Sequence, residues 1–206
     1  FNRATLGVYE LGSTFKIFAA AQAMELGLVN PNTMIKTDPP MKIGGHTIGE
    51  FKNKNYGTLS VEDIIVQSSN RGTGKLALAI GPIRQQEFLE SLGFFTHTPF
   101  EIVEARGGAP LLPKRWTDLS AVTVSFGHGI SASPLHLAAG YAAIANGGYA
   151  VKPTLLKQSE PRLGPRVMRD DVARAARVML RKVVTEGTAS FGEVPGYYVG
   201  GKTGTS

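Results

Sequence analysis

The chain has 206 residues, 42% of them apolar and 8% aromatic, which is enough for one sizeable core or a large part of one. Its formal net charge is +6, which reads as a basic surface suited to an anionic substrate or polymer; no dense Lys/Arg run interleaves with aromatics, so nucleic acid is excluded as a partner. The absence of cysteine excludes a disulfide framework, a thiol nucleophile and thiolate metal sites, and no stretch approaches the roughly 20 apolar residues of a membrane span.

In chain order, Glu10-Leu11-Gly12-Ser13 leads into a predicted helix from Thr14 to Leu28, with Gly27 and Asn30-Pro31 as its stop. Ser13 then stands at a helix start, with Lys16 one turn on and on the same face. Residues 31–57 are rich in Pro, Gly, Lys and Asn and read as a loop or a small β excursion, with Gly44-Gly45 as a hairpin turn. Ser60-Val61-Glu62-Asp63 predicts a capped helix running to Gln67. Ser68-Ser69-Asn70 falls at the break before a second helix, Gly74 to Ile80. A short helix follows from Ile83 to Leu92, closed by Gly93, and residues 94–118 read as irregular. Ser133-Pro134, then Leu135 to Ala145, then Asn146-Gly147-Gly148 has a cap, a first-turn Pro and a terminating Gly; its small residues predict a buried helix. Asp170-Asp171 opens a helix through Val184, and the arginines between 162 and 181 read as a solvated face. Tyr197 to Thr205 reads as a strand whose sheet partners lie outside the chain. The chain opens at Phe1 with no leader and stops inside a motif, which predicts a fragment, here one partial domain over 1–206 without an internal boundary.

Three strings carry chemistry: Ser13-Thr14-Phe15-Lys16, Ser68-Ser69-Asn70 and Lys202-Thr203-Gly204. Each alone has a bland reading, as a helix cap, an interhelical turn and an exposed turn. Together and in this order they are specific. A serine hydroxyl becomes nucleophilic when a base takes its proton, and a lysine one turn away does so if burial or a second positive charge keeps it neutral. Lys202 would supply that second charge.

The set resembles the penicillin-recognising serine acyl-transfer enzymes, and most closely the class B penicillin-binding proteins of the cell-division type. Asn2-Arg3-Ala4, Tyr9 to Ser13, Asn55-Tyr56-Gly57 and the stretch from Phe126-Gly127-His128-Gly129 to Leu135 strengthen the likeness. Leu11 departs from it, since many relatives have Pro there. The resemblance implies an α+β transpeptidase-like fold, with a helical subdomain packed on an antiparallel sheet; this chain would hold the helical half and the Lys-Thr-Gly strand. It implies Ser13 as nucleophile and Lys16 as base. Ser68 would relay a proton, and Asn70 would hold the substrate peptide and steady Lys16. Lys202, Thr203 and Thr205 would meet the substrate carboxylate. Gly204 would admit its backbone, and the N–H groups of Ser13 and Thr205 would form an oxyanion hole. The activity implied is peptidoglycan D,D-transpeptidation, with stem peptides as substrates, β-lactams as acylating inhibitors, and a glycosyltransferase and other division proteins as partners. The place implied is the periplasmic face of the bacterial inner membrane. No cofactor or metal is implied.

Rivals are weaker. Class D β-lactamases and β-lactam sensor domains resemble one another in a Ser-x-Val second motif, whereas this chain has Asn70. A class A water-activating Glu-x-x-Leu-Asn string is missing between Asn70 and Lys202. Gly196 to Thr203 fits a phosphate-loop pattern, but lacks an apolar strand before it and a helix after it. The four histidines, His46, His97, His128 and His136, form no ligand spacing, and His128 reads as part of a glycine-bounded turn.

Overall fold

The computed structural model describes residues 1–103 and 108–205; residues 104–107 of the stretch read as irregular lie outside the described residues. At its centre runs α1 (Lys16–Glu25), entered through a 3-10 turn, Gly12–Phe15. Every residue from Lys16 to Met24 is buried, the pattern of a helix enclosed on all sides. The alanines at 19, 20, 21 and 23 let neighbouring helices come close. α2 (Val61–Val66) and α3 (Asn70–Ile80) follow, then α4 (Pro82–Ser91), α5 (Asp118–Ser125), α6 (Pro134–Ala145) and α7 (Asp170–Thr185). α3 and α7 pack along α1, α5 backs α3, and α2 and α6 lean on α7.

Among the described residues the helices are accompanied by three two-stranded antiparallel ladders: β1 (Tyr9–Glu10) with β6 (Ser131–Ala132), β2 (Met34–Lys36) with β5 (Thr58–Ser60), and β3 (Met41–Ile43) with β4 (His46–Ile48). Gly44 and Gly45, at φ +54° and +78°, make the two-residue turn of the third, as predicted. The excursion at 31–57 is thus a β2–β5 clasp holding that hairpin.

The helix ends follow their caps. Ser60 Oγ accepts from the Asp63 N–H at 3.0 Å. Ser133 caps α6 with His136 completing the box. α6 is only half buried, and Gly140 is where it meets α1, since a Cβ there would lie 2.8 Å from the Phe18 ring. Four expectations need correction. α1 stops at Glu25 rather than Leu28. α3 begins at Asn70 rather than Gly74, because Ser69 supplies the cap, its Oγ accepting from the Gly72 N–H at 2.9 Å. The arginines near α7 are not a merely solvated face. Arg169 donates to the carbonyls of Glu25 (2.8 Å) and Met24 (3.2 Å), and Arg177 to that of Ile144 (2.8 Å), so they close the C-terminal ends of α1 and α6. Finally, Tyr197–Thr205 forms no strand, because no described segment offers it a ladder.

The core is organised by Phe15, Phe18 and Phe94, whose ring centroids lie 5.1, 4.9 and 5.5 Å apart edge to face. Phe94 is fully buried and follows α4, so it pins that helix to the turn carrying Ser13. Phe94→Ala is expected to cost about 3–5 kcal/mol in urea unfolding, with Phe94→Leu costing clearly less.

Candidate active site

Ser13 lies inside the 3-10 turn and Lys16 at its exit, where the Lys16 N–H donates to the Ser13 carbonyl. At three residues per turn, side chains three apart eclipse, so both project to one side. Gly12 makes the entry possible. Its φ is +54°, and a Cβ on it would stand 2.3 Å from the Thr205 carbonyl oxygen. Its N–H donates to the Gly127 carbonyl at 3.2 Å. Gly127, at φ +81°, touches so closely that a Cβ would lie 2.1 Å from the Gly12 oxygen. Gly204 is tight too, its notional Cβ 2.9 Å from the Thr14 methyl. Main chain from three distant segments therefore meets around the serine.

Ser68 sits between α2 and α3 at φ +61°, a left-handed conformation that costs a non-glycine residue about 1–2 kcal/mol. The conformation is used. Lys16 Nζ donates to the Ser68 carbonyl at 2.5 Å and to its Oγ at 3.0 Å. Lys202 Nζ reaches the same Oγ at 2.9 Å from the opposite wall. Lys202 also donates to the Thr203 carbonyl (3.1 Å) and more weakly to Thr203 Oγ1 (3.4 Å). The segment bearing Lys202 is held by the Gly201 N–H on the Leu180 carbonyl (3.0 Å) and by Arg181 on the Val199 carbonyl (2.9 Å).

Both amines are shifted. Burial, then the charge of Lys202, lowers Lys16 to about 7, with Glu50 opposing the shift; burial lowers Lys202 to about 8. Lys16 loses its proton first, so it feels the charge of Lys202, whereas Lys202 titrates beside a neutral Lys16. Near pH 7 one amine is therefore partly a base and the other still a cation.

Ser13, Lys16, Ser68, Asn70, Thr203, Gly204 and Thr205 line one cleft of about 490 Å³, together with Glu50, Tyr56, His128 and Thr188. Two expected contacts are not made. Ser13 Oγ has no hydrogen bond to Lys16 Nζ, which is drawn to Ser68. Asn70 Nδ2 donates to the Gly49 carbonyl at 3.1 Å and not toward Lys16. Catalytic hydrogen bonds often tighten only around a bound substrate.

Three residues escape sequence reasoning. Glu50, 6% exposed, accepts from Ser69 Oγ (2.5 Å), the Asn70 N–H (2.7 Å) and the Arg71 N–H (3.1 Å). It is an acid placed on the N-terminus of α3 from 20 residues away, so no local pattern could announce it. Thr188 pairs with Thr203, their oxygens 2.6 Å apart. Tyr141 donates to the Thr14 carbonyl at 2.7 Å, steadying the turn that carries Ser13, and its burial raises its own hydroxyl's pKa. His128, read as part of a turn, lies on the cleft rim.

The penicillin binding protein transpeptidase domain matches the chain over residues 1–206. The chain belongs to this family. Among relatives of the penicillin-binding transpeptidases, the chain is 33% identical over 210 residues to FtsI of Caulobacter vibrioides, matching 99% of this chain and 35% of that one. It is 32% identical to the peptidoglycan D,D-transpeptidase FtsI of Escherichia coli, matching 100% and 34%. It therefore spans about a third of the length of these curated relatives. The transpeptidase domain of penicillin-binding protein 3 from Burkholderia pseudomallei superposes with a TM-score of 0.91 at 36% identity, over 98% of this chain and 62% of that one. A structure from Burkholderia ambifaria titled a peptidoglycan glycosyltransferase gives 0.91 at 35%, over 100% and 66%. The likeness to class B division-type proteins and the α+β transpeptidase-like fold are borne out.

Since three donors converge on Glu50, Glu50→Ala should lower stability by about 2–3 kcal/mol in denaturant unfolding. It should also speed amide hydrogen exchange at Asn70 and Arg71, because the turn between Ser68 and α3 loses its anchor.

Proposed function

We propose that this domain is the serine acyl-transfer module of a peptidoglycan D,D-transpeptidase. The observation that carries the proposal is the Ser68 hydroxyl shared by Lys16 and Lys202 beside Ser13. Ser13 Oγ attacks the penultimate D-Ala carbonyl of a stem peptide, and its proton passes to neutral Lys16. The carbonyl oxygen, now negative, is met by the N–H groups of Ser13 and Thr205; one such donor is worth about two to three powers of ten in rate. As the C–N bond breaks, the proton reaches the departing D-Ala amine through Ser68. An amine of a second stem peptide then takes the acyl group and returns the proton to the enzyme. Lys202 and the Thr203 and Thr205 hydroxyls hold the donor's terminal carboxylate, Asn70 its peptide, and Gly204 its backbone. A β-lactam ring opens on Ser13 by the same first step.

Transfer is favoured over hydrolysis by the state of Glu50. It is the cleft's carboxylate, and both its oxygens already accept hydrogen bonds from the start of α3. It is not placed to activate water.

We further place the domain on the periplasmic face of the inner membrane, among division proteins that include a glycosyltransferase, as the likeness to FtsI suggests. No helix among the described residues is long and apolar enough to cross a membrane, so attachment would lie in other parts of the protein. We take residues 1–206 as one partial domain, since α1 packs against helices from both halves of the chain.

A fluorescent penicillin should label the full-length protein and leave Ser13→Ala unlabelled; equal labelling of both would refute the assignment. The acylation rate should climb with pH through about 7, as Lys16 becomes neutral, and bend down above about 8, as Lys202 loses its charge. Lys202→Met removes the neighbouring charge, so the rising limb should move to higher pH, while Lys202→Arg should hold it closer to its original place.

A further inference from the structure

We infer that Thr188 is a positioning residue for the substrate's carboxylate, setting the direction in which the Thr203 hydroxyl donates. The inference rests on the acyl-transfer reading above.

Thr188 stands just beyond the end of α7, and the chain on either side of it is fixed. Gly187 packs where a Cβ would lie 2.6 Å from the Val66 carbonyl oxygen and 3.0 Å from Val183 Cα. Ala189 is buried, and its N–H donates to the Val183 carbonyl at 3.1 Å. With both neighbours held, Thr188 faces the cleft, its Oγ1 2.6 Å from Thr203 Oγ1. Among the described residues its hydroxyl has no other partner.

A count of protons gives this contact its meaning. A hydroxyl has one proton to donate and two lone pairs to accept with. The ammonium of Lys202 has three protons, and its acceptors are Ser68 Oγ, the Thr203 carbonyl and Thr203 Oγ1. One lone pair of Thr203 is thereby assigned. If Thr203 gave its own proton to Thr188, it would turn only lone pairs toward an arriving anion and repel it. If Thr188 donates instead, the second lone pair of Thr203 is filled and its proton is released toward the cleft. An incoming carboxylate selects this second arrangement. A hydroxyl that accepts two hydrogen bonds is also a stronger donor. Thr188 thus acts through Thr203, and its effect falls on substrates with a negative terminus.

The test uses the full-length protein and two matched thioester acyl donors, one ending in a free carboxylate and one in the corresponding carboxamide, with the second-order acylation rate measured for each. Thr188→Val keeps the shape and removes the proton, and the carboxylate-to-carboxamide rate ratio should fall about 5- to 10-fold, the value of one hydrogen bond. Thr188→Ser should restore the ratio. An unchanged ratio in Thr188→Val, whether both rates hold or both fall together, overturns the inference and leaves the acyl-transfer reading intact. Ser13→Ala run alongside separates the two: if it still reacts with either donor, the acyl-transfer reading fails and the inference fails with it.

Discussion

One hydroxyl oxygen between two buried amines is the constraint to which the rest of this structure answers. Ser68 Oγ accepts from Lys16 at 3.0 Å and from Lys202 at 2.9 Å. Burial away from bulk water disfavours both ammonium charges, and repulsion between them adds to it at Lys16, so the pair sheds a proton at lower pH than isolated lysines would. The lysine that gives way is Lys16, the more deeply enclosed one. A base is thus created by crowding and burial alone. The same arrangement leaves a cation on the opposite wall.

Holding that oxygen in place explains features that otherwise look wasteful. Ser68 adopts a left-handed backbone, which the fold tolerates because both flanks are fastened. α2 ends immediately before it, and Glu50 grips the start of α3 immediately after it. Buried carboxylates are costly unless fully hydrogen-bonded, and Glu50 meets that condition with donors from three consecutive residues. The central helix, meanwhile, has no polar face to spare. Lys16 is the exception along its buried length apart from Gln22, whose amide is satisfied by the Arg84 carbonyl at 2.6 Å.

Much of this could be read from the residues. Caps and stop signals located α1, α2, α4, α6 and α7, since Ser60 and Ser133 and the glycines after α1, α4, α6 and α7 act locally. The three motifs converged on one cleft as expected. What escaped was set at long range. α5 carries Val122-Thr123-Val124, a β-branched run with poor helix propensity, and it forms because Ala121, Val122 and Val124 are buried beneath α3. The tail from Tyr197 to Thr205 has a strand's composition, yet a strand exists only when another chain segment completes its hydrogen bonds. Glu50 and Thr188 gave no signal, because their partners lie 19 to 21 residues away for one and 15 for the other. The arginines around α7 look like a charged surface in a one-dimensional pattern; only folding shows that their heads reach the last carbonyls of other helices.

The contacts of Gly12 with Gly127 and with Thr205 are main chain against main chain. Placement of the Ser13 turn is therefore delegated to atoms that every amino acid shares. Side chains nearby can vary over evolutionary time without moving Ser13, provided that they keep clear of these contacts. This freedom ends at the glycines, where a single added methyl would push apart segments more than a hundred residues distant in the chain.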